Sequence, residues 1–194
     1  MSATETRRLI VETADRLFYE TGVEATSFAD IAGAVGLSRG NFYYHFRTKD
    51  QILDAVIDRR LARTREMLER WEEEGAGPVE RIRCFIDLMI ANRAPIMAHG
   101  CPVGTLCEEL AKLDHAALPR ATALFDLFRD WLARQFAALG RGGDADDLAL
   151  HLLMRSQGVA TLATAYRDEA FIRREVAAMH AWLDAEVAGP PVHT

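Results

Sequence analysis

Cysteine is scarce in this chain, with Cys84, Cys101 and Cys107 the only three among 194 residues. An odd count, in a chain whose first residues (Met1-Ser2-Ala3-Thr4-Glu5-Thr6-Arg7-Arg8) hold no apolar stretch with a small-residue cleavage site, argues against a disulfide framework. Cytoplasm is the expected location. No Cys-x-x-Cys pair or His-x-x-x-His partner accompanies Cys101 and Cys107, so no zinc site is expected. No apolar run approaches the roughly 20 residues a membrane helix needs. No period-two alternation marks a strand, and no internal repeat or low-complexity tract is present. A nucleophile elbow, a phosphate-cradling glycine loop and a His-Glu-x-x-His helix are all missing, which argues against an enzyme, and no cofactor is expected.

The remaining composition is that of an ordinary globular protein, 49% hydrophobic and 27% charged. The net charge of −6 argues against a surface coated throughout by nucleic acid, but not against a local basic face. One stretch stands apart. From Ile31 to Lys49 there is no Asp or Glu, while Arg39, Arg47 and Lys49 are present.

The periodicity predicts an all-α fold of about nine helices. A first helix runs from about Thr4 to Thr21, with Ile10, Ala14, Leu17 and Phe18 on one face and Gly22 as its stop. Ser27-Phe28-Ala29-Asp30 is a capping box that opens a second helix ending at Gly36. A short third helix follows from Ser38 to about Phe46. Thr48-Lys49-Asp50-Gln51, another capping box, opens a long fourth helix to about Trp71. A fifth helix starts near Pro78 and continues to the break at His99-Gly100-Cys101-Pro102. The sixth covers roughly Val103–Leu113 and the seventh Ala116–Leu139. Asp144 caps an eighth to about Tyr166, and a ninth spans Glu169–Val187. The tail 189–194 is expected to be disordered.

Two short helices joined by Gly36-Leu37 form a helix-turn-helix unit, in which Ala32 and Gly36 permit close, steep packing. Such a unit lays its second helix in the major groove of DNA. Phe42 and Phe46, four residues apart, share a core face and leave Ser38, Arg39, Asn41, Tyr43, Tyr44 and His45 outside. Arg and Asn are side chains that read guanine and adenine edges. Hydroxyls at Thr26, Ser27, Ser38, Tyr43 and Tyr44, and the Lys49 ammonium at a helix start, suit phosphate oxygens. The Arg59-Arg60-Arg63-Arg65 run is better read as a solvated helix face.

The residues Thr26-Ser27-Phe28-Ala29-Asp30-Ile31-Ala32, then Gly36 to Phe46, then Lys49-Asp50, resemble the DNA-binding signature of the TetR family of bacterial repressors. The resemblance covers about residues 7–60 by motif and the rest by helical layout. It implies a three-helix DNA-binding domain (1–47), then a linking fourth helix and a ligand-binding and dimerisation domain (48–188). It also implies a homodimer on pseudo-palindromic operator DNA, released by a small-molecule effector. On that basis Arg39, Gly40 and Asn41 would meet bases. Tyr43, Tyr44, His45 and Lys49 would meet backbone, with Thr26 and Ser27 at the start of the second helix.

In the C-terminal part, Gly100-Cys101-Pro102 resembles a stretch that leads into the sixth helix beside the ligand pocket in one branch of TetR-like regulators. Cys101 near a helix start raises an alternative, a regulator that senses oxidants or electrophiles through that thiol; the plainer role is a small apolar residue. Candidate ligand contacts are Phe85, Met89, Asn92, Cys101, Thr105, Leu106, Glu109, Phe125, Phe128, Trp131, Arg155 and Gln157, many of them equally suited to core. Candidate dimer contacts are Leu148, Leu152, Val159, Leu162, Ala163, Val176, Met179 and Leu183 on the last two helices.

Overall fold

The computed structural model describes residues 2–188, the Arg39 side chain excepted. The tail 189–194, and the disorder expected of it, lie outside the described residues. Every regular element among the described residues is helical: α1 (Ala3–Thr21), α2 (Phe28–Val35), α3 (Arg39–His45), α4 (Lys49–Glu74), α5 (Pro78–Ala91), α6 (Arg93–His99), α7 (Pro102–Lys112), α8 (Leu118–Ala138), α9 (Ala145–Tyr166) and α10 (Glu169–Ala188). The all-α class is as the periodicity indicated. The expected fifth helix is broken at Asn92 into α5 and α6. Pro95 explains the break: it has no N–H to give the Ala91 carbonyl, and its ring crowds that position. Restarting at Arg93 places Pro95 in a first turn, where no intrahelical donor is needed. Counted as one broken helix, the pair restores the expected nine.

The described residues pack as two units. The first comprises, among the described residues, 2–64 and 102–124. In it α1 buries Ile10, Val11, Ala14 and Phe18, and α4 buries Ile52, Leu53, Val56 and Ile57. The division differs from the boundary expected after residue 47, because α7 and the start of α8 join the N-terminal helices. Polar ties accompany that grouping. Arg60 Nη1 donates to the Pro102 carbonyl at 2.6 Å, and Arg120 pairs with Asp54 and Asp58.

Local signals place the short helices of this unit. The Ser27 hydroxyl accepts from the Asp30 N–H at 3.1 Å, and the Asp30 carboxylate accepts from the Ser27 N–H at 2.8 Å, closing the capping box. Hydrogen bonding by the Ser27 side chain, then by its backbone, holds the Asp30 carboxyl below its ordinary pKa. The second box is skewed: Gln51 N–H reaches Thr48 Oγ1 at 3.2 Å, but the Gln51 side chain accepts from Arg47 N–H rather than from Thr48. Gly36 ends α2 at φ 72, ψ 27, in the left-handed region. A Cβ there would meet nothing within 4 Å. Gly36→Ala should therefore cost only the backbone strain of that conformation, about 1–2 kcal/mol, measurable by chemical denaturation.

Among the described residues the second unit comprises 65–101 and 125–188. Its core gathers Ile82, Phe85, Ile86, Trp131, Leu132, Phe136, Leu152, Ile172 and Met179, with α10 packed on α5 and α9, and α6 on α9. Asp144 sits at the start of α9 without capping it; its carboxylate is held by Arg141 instead.

This core corrects the dimer assignment. Leu148, Leu152, Val159, Ala163, Val176, Met179 and Leu183 are buried inside the protomer, and only Leu162 of the eight is exposed. Helix α9 carries apolar residues on opposite faces, and a 3.6-residue period does not distinguish which face turns inward.

Candidate nucleic-acid interface

The recognition helix α3 is anchored from beneath. Phe42 and Phe46 are buried, and the Phe28 ring of α2 meets Phe42 edge-on at 4.6 Å between centroids. The outward residues follow from that anchoring. Gly40 and Asn41 are exposed, and the space above Gly40 is open. Tyr43 is exposed while its ring stacks on Phe28 at 5.0 Å. Tyr44 is 77% exposed and touches the half-buried His45 ring edge-on. Ser38 caps α3 by accepting from the Asn41 N–H at 3.4 Å, and Ser27 caps α2. The Arg39 side chain, expected to read bases, lies outside the described residues.

Two expected DNA contacts are committed elsewhere. Thr26 is only 2% exposed; its hydroxyl donates to the Gly22 carbonyl at 2.6 Å and lies 2.9 Å from Thr21 Oγ1. It braces the turn between α1 and α2. Lys49 Nζ donates to the Val23 carbonyl at 2.8 Å and the Glu24 carbonyl at 3.4 Å. An ammonium has three donors, and at least two of these are engaged by the same turn.

The reading from residues missed Arg7. Its exposed guanidinium lies 4.6 Å from the centroid of the Phe46 ring, beside the end of α3. The signal available was a basic residue one turn from the start of α1. Arg7 also borders an open cleft of about 250 Å³ with Thr4, Arg8, Val11, Ala55 and Arg59. Arg8 and Arg59 both face Glu12, at 3.2 and 2.9 Å, which neutralises part of the charge there.

The ligand candidates divide between the units. Thr105, Leu106 and Glu109 belong to the first; Phe85, Met89, Asn92, Cys101, Phe125, Phe128, Trp131, Arg155 and Gln157 belong to the second. Glu109 is engaged within the first unit. Its carboxylate accepts from the Val23 and Glu24 backbone N–H groups at 2.9 and 2.8 Å. Asn92 is an exposed residue at the end of α5, bonded to the Leu88 carbonyl. Arg155 pairs with Glu175 at 3.4 Å, and Gln157 bonds the Ser156 hydroxyl. Cys101 packs against the apolar core of the second unit, in keeping with the plainer role. Phe85 and Phe128 meet at 5.5 Å, as do Trp71 and Trp131. Trp131 is 1% exposed, and its indole Nε1 has no hydrogen-bond partner among the described residues.

A short helix bearing exposed aromatic and amide side chains, packed on a second short helix through Phe42 and Phe28 and free of carboxylates, defines a helix-turn-helix protein. Comparison with known proteins makes this specific. Residues 10–56 match the family described as "Bacterial regulatory proteins, tetR family". The HTH-type transcriptional regulator TtgR of Pseudomonas putida is 39% identical over 88 residues, 45% of this chain and 41% of that protein. The probable HTH-type transcriptional regulator ArpR of Pseudomonas putida is 33% identical over 117 residues, 55% of this chain and 56% of that one. The chain thus spans about half the length of these curated relatives. Among solved structures, a TetR transcriptional regulator from Chloroflexus aurantiacus superposes with a TM-score of 0.83 at 25% identity, covering 94% of this chain and 96% of that one. One from Legionella pneumophila gives 0.79 at 24%, covering 95% and 97%. Residues 10–56 thus carry the DNA-binding region of the TetR family, and the chain has the fold of the solved TetR regulators.

Proposed function

We propose that this chain is a transcriptional repressor, rather than an enzyme, that binds pseudo-palindromic operator DNA in the cytoplasm as a homodimer and is released by a small-molecule effector. The observation that carries the reading is the outer face of α3. It presents Gly40, Asn41, Tyr43 and Tyr44 to solvent, within a stretch from Ile31 to Lys49 that has no carboxylate. Exposed tyrosines of this extent have little to do in a lone protomer, and they suit a phosphate backbone or a base edge.

Gel shifts on the region upstream of its own gene test the reading. A specific shift should appear, weakening steeply as salt rises because phosphate neutralisation releases counterions. Tyr44→Ala should reduce that affinity by about tenfold, the order of one good contact. Its thermal midpoint should stay at the wild-type value, since Tyr44 holds no core position. Absence of any specific shift from a folded dimer would sink the reading.

The dimer is supported by a second apolar stripe on α9, where Leu150, Met154, Leu162 and Tyr166 are exposed. The effector is supported by Trp131. A buried indole N–H without an acceptor costs about 1–3 kcal/mol, and a ligand oxygen or nitrogen would remove that cost. In line with a location off the membrane, no described helix is long and apolar enough to cross one.

A further inference from the structure

The turn between α1 and α2 is held from both sides by side chains remote in sequence. On one side, the two Glu109 oxygens of α7 each accept one N–H, from Val23 at 2.9 Å and from Glu24 at 2.8 Å. On the other, Lys49 Nζ at the start of α4 donates to the carbonyls of the same two residues, at 2.8 and 3.4 Å. A carboxylate across successive amides is a charge-assisted pair, and the ammonium polarises one of the two peptide groups, Val23–Glu24, from its carbonyl end. Gly22 makes the approach possible. Its φ is +97, and a Cβ there would stand 3.0 Å from Glu109 Oε1. Thr26 completes the frame by donating to the Gly22 carbonyl, and buried Val23 pins the turn to the core. Ser27, the cap of α2, follows directly.

Helix α7 is itself tied to the N-terminal helices over its length. Its Pro102 carbonyl accepts from Arg60, which also pairs with Asp15 of α1 at 2.7 Å. Beyond its end, His115 lies 3.7 Å from Asp50, and Arg120 pairs with Asp54 and Asp58.

We propose that Glu109 is a positioning residue for DNA recognition: it fixes the Val23–Glu24 peptide against Lys49, and so sets where α2, and α3 seated upon it, stand. This rests on the proposed operator binding. It touches no DNA itself. Both amides of the turn rest on the one Glu109 carboxylate, so displacement of α7 by the length of one hydrogen bond unlatches the turn.

Two measurements on the full-length protein test this. The probe is a 30-base-pair duplex selected from a randomised pool by the wild-type chain. Glu109→Ala should bind it at least tenfold more weakly while its affinity for a random duplex stays within twofold, because phosphate contacts survive and register does not. Glu109→Gln, with one acceptor oxygen left, should fall between. A folding defect would instead lower both affinities together. Independently, amide hydrogen exchange should quicken at Val23 and Glu24 in Glu109→Ala, with Ile10 and Phe42 still protected. If the selected duplex binds Glu109→Ala within twofold of wild type, or if the two amides exchange at wild-type rates, the positioning role is wrong. If the wild type selects no duplex, operator binding fails instead, and the exchange result still decides whether Glu109 holds the turn.

Discussion

Phe42→Ala is expected to abolish operator binding and to lower the stability of the N-terminal unit by about 3–5 kcal/mol, the usual cost of emptying a buried phenylalanine site. That is a large share of the roughly 5–15 kcal/mol that stabilises a whole domain. The reason for so large an effect is that α3 has seven residues, too few to hold together on its own hydrogen bonds. Its position comes from two rings beneath it. Phe42 is fully buried and meets Phe28 edge-on, and Phe28 in turn carries the stacked ring of Tyr43. Removing Phe42 therefore loosens both helices of the motif and the tyrosine on its surface. The far-UV helical signal should fall only slightly, since the second unit has its own core. Chemical denaturation with gel shifts at matched protein concentration checks both halves. Operator affinity within twofold of wild type would refute the anchoring of α3 by Phe42.

The helix-turn-helix was legible because its signals are local. Ser27 with Asp30, Gly36, and Phe42 with Phe46 each act over three or four residues, and a periodic reading captures such spacing. The residues that the structure engages elsewhere are those whose partners the sequence hides. Lys49 looked like a phosphate contact because nothing near it in sequence reveals Val23, 26 residues away. Glu109 looked like a ligand contact, being polar amid apolar residues, and its partner Val23 is 86 residues away. Thr26 was placed with its exposed neighbours, and its burial comes from tertiary packing of the turn. The break at Asn92 is different: Pro95 was a readable signal, outweighed by the apolar stripe running through it.

Met154→Glu combined with Leu162→Glu is expected to convert the proposed dimer to a monomer and to reduce operator affinity by about a hundredfold or more. Leu150, Met154, Leu162 and Tyr166 lie at multiples of four residues, with Gly158 midway between them. All four large side chains are exposed, Met154 to 61%. Residues at steps of four form one ridge along a helix, and such ridges interlock when two helices cross. At Gly158 a Cβ would meet nothing within 4 Å, so the ridge is lowest at its centre, where a second helix would come nearest in the proposed dimer. Around a two-fold axis the stripe meets its own copy, so two glutamates per protomer place four carboxylates in one interface. Burying such charges without partners costs several kcal/mol each, enough to outweigh the apolar contact. The protomer itself should be unharmed, because the replaced side chains leave the buried face of α9 (Leu148, Leu152, Val159 and Ala163) intact. Light scattering behind size exclusion should then report a folded monomer with wild-type far-UV circular dichroism. With the two half-sites no longer engaged together, the affinity gained from linking them is lost. A variant that still runs as a dimer at micromolar concentration would move the interface off this face of α9.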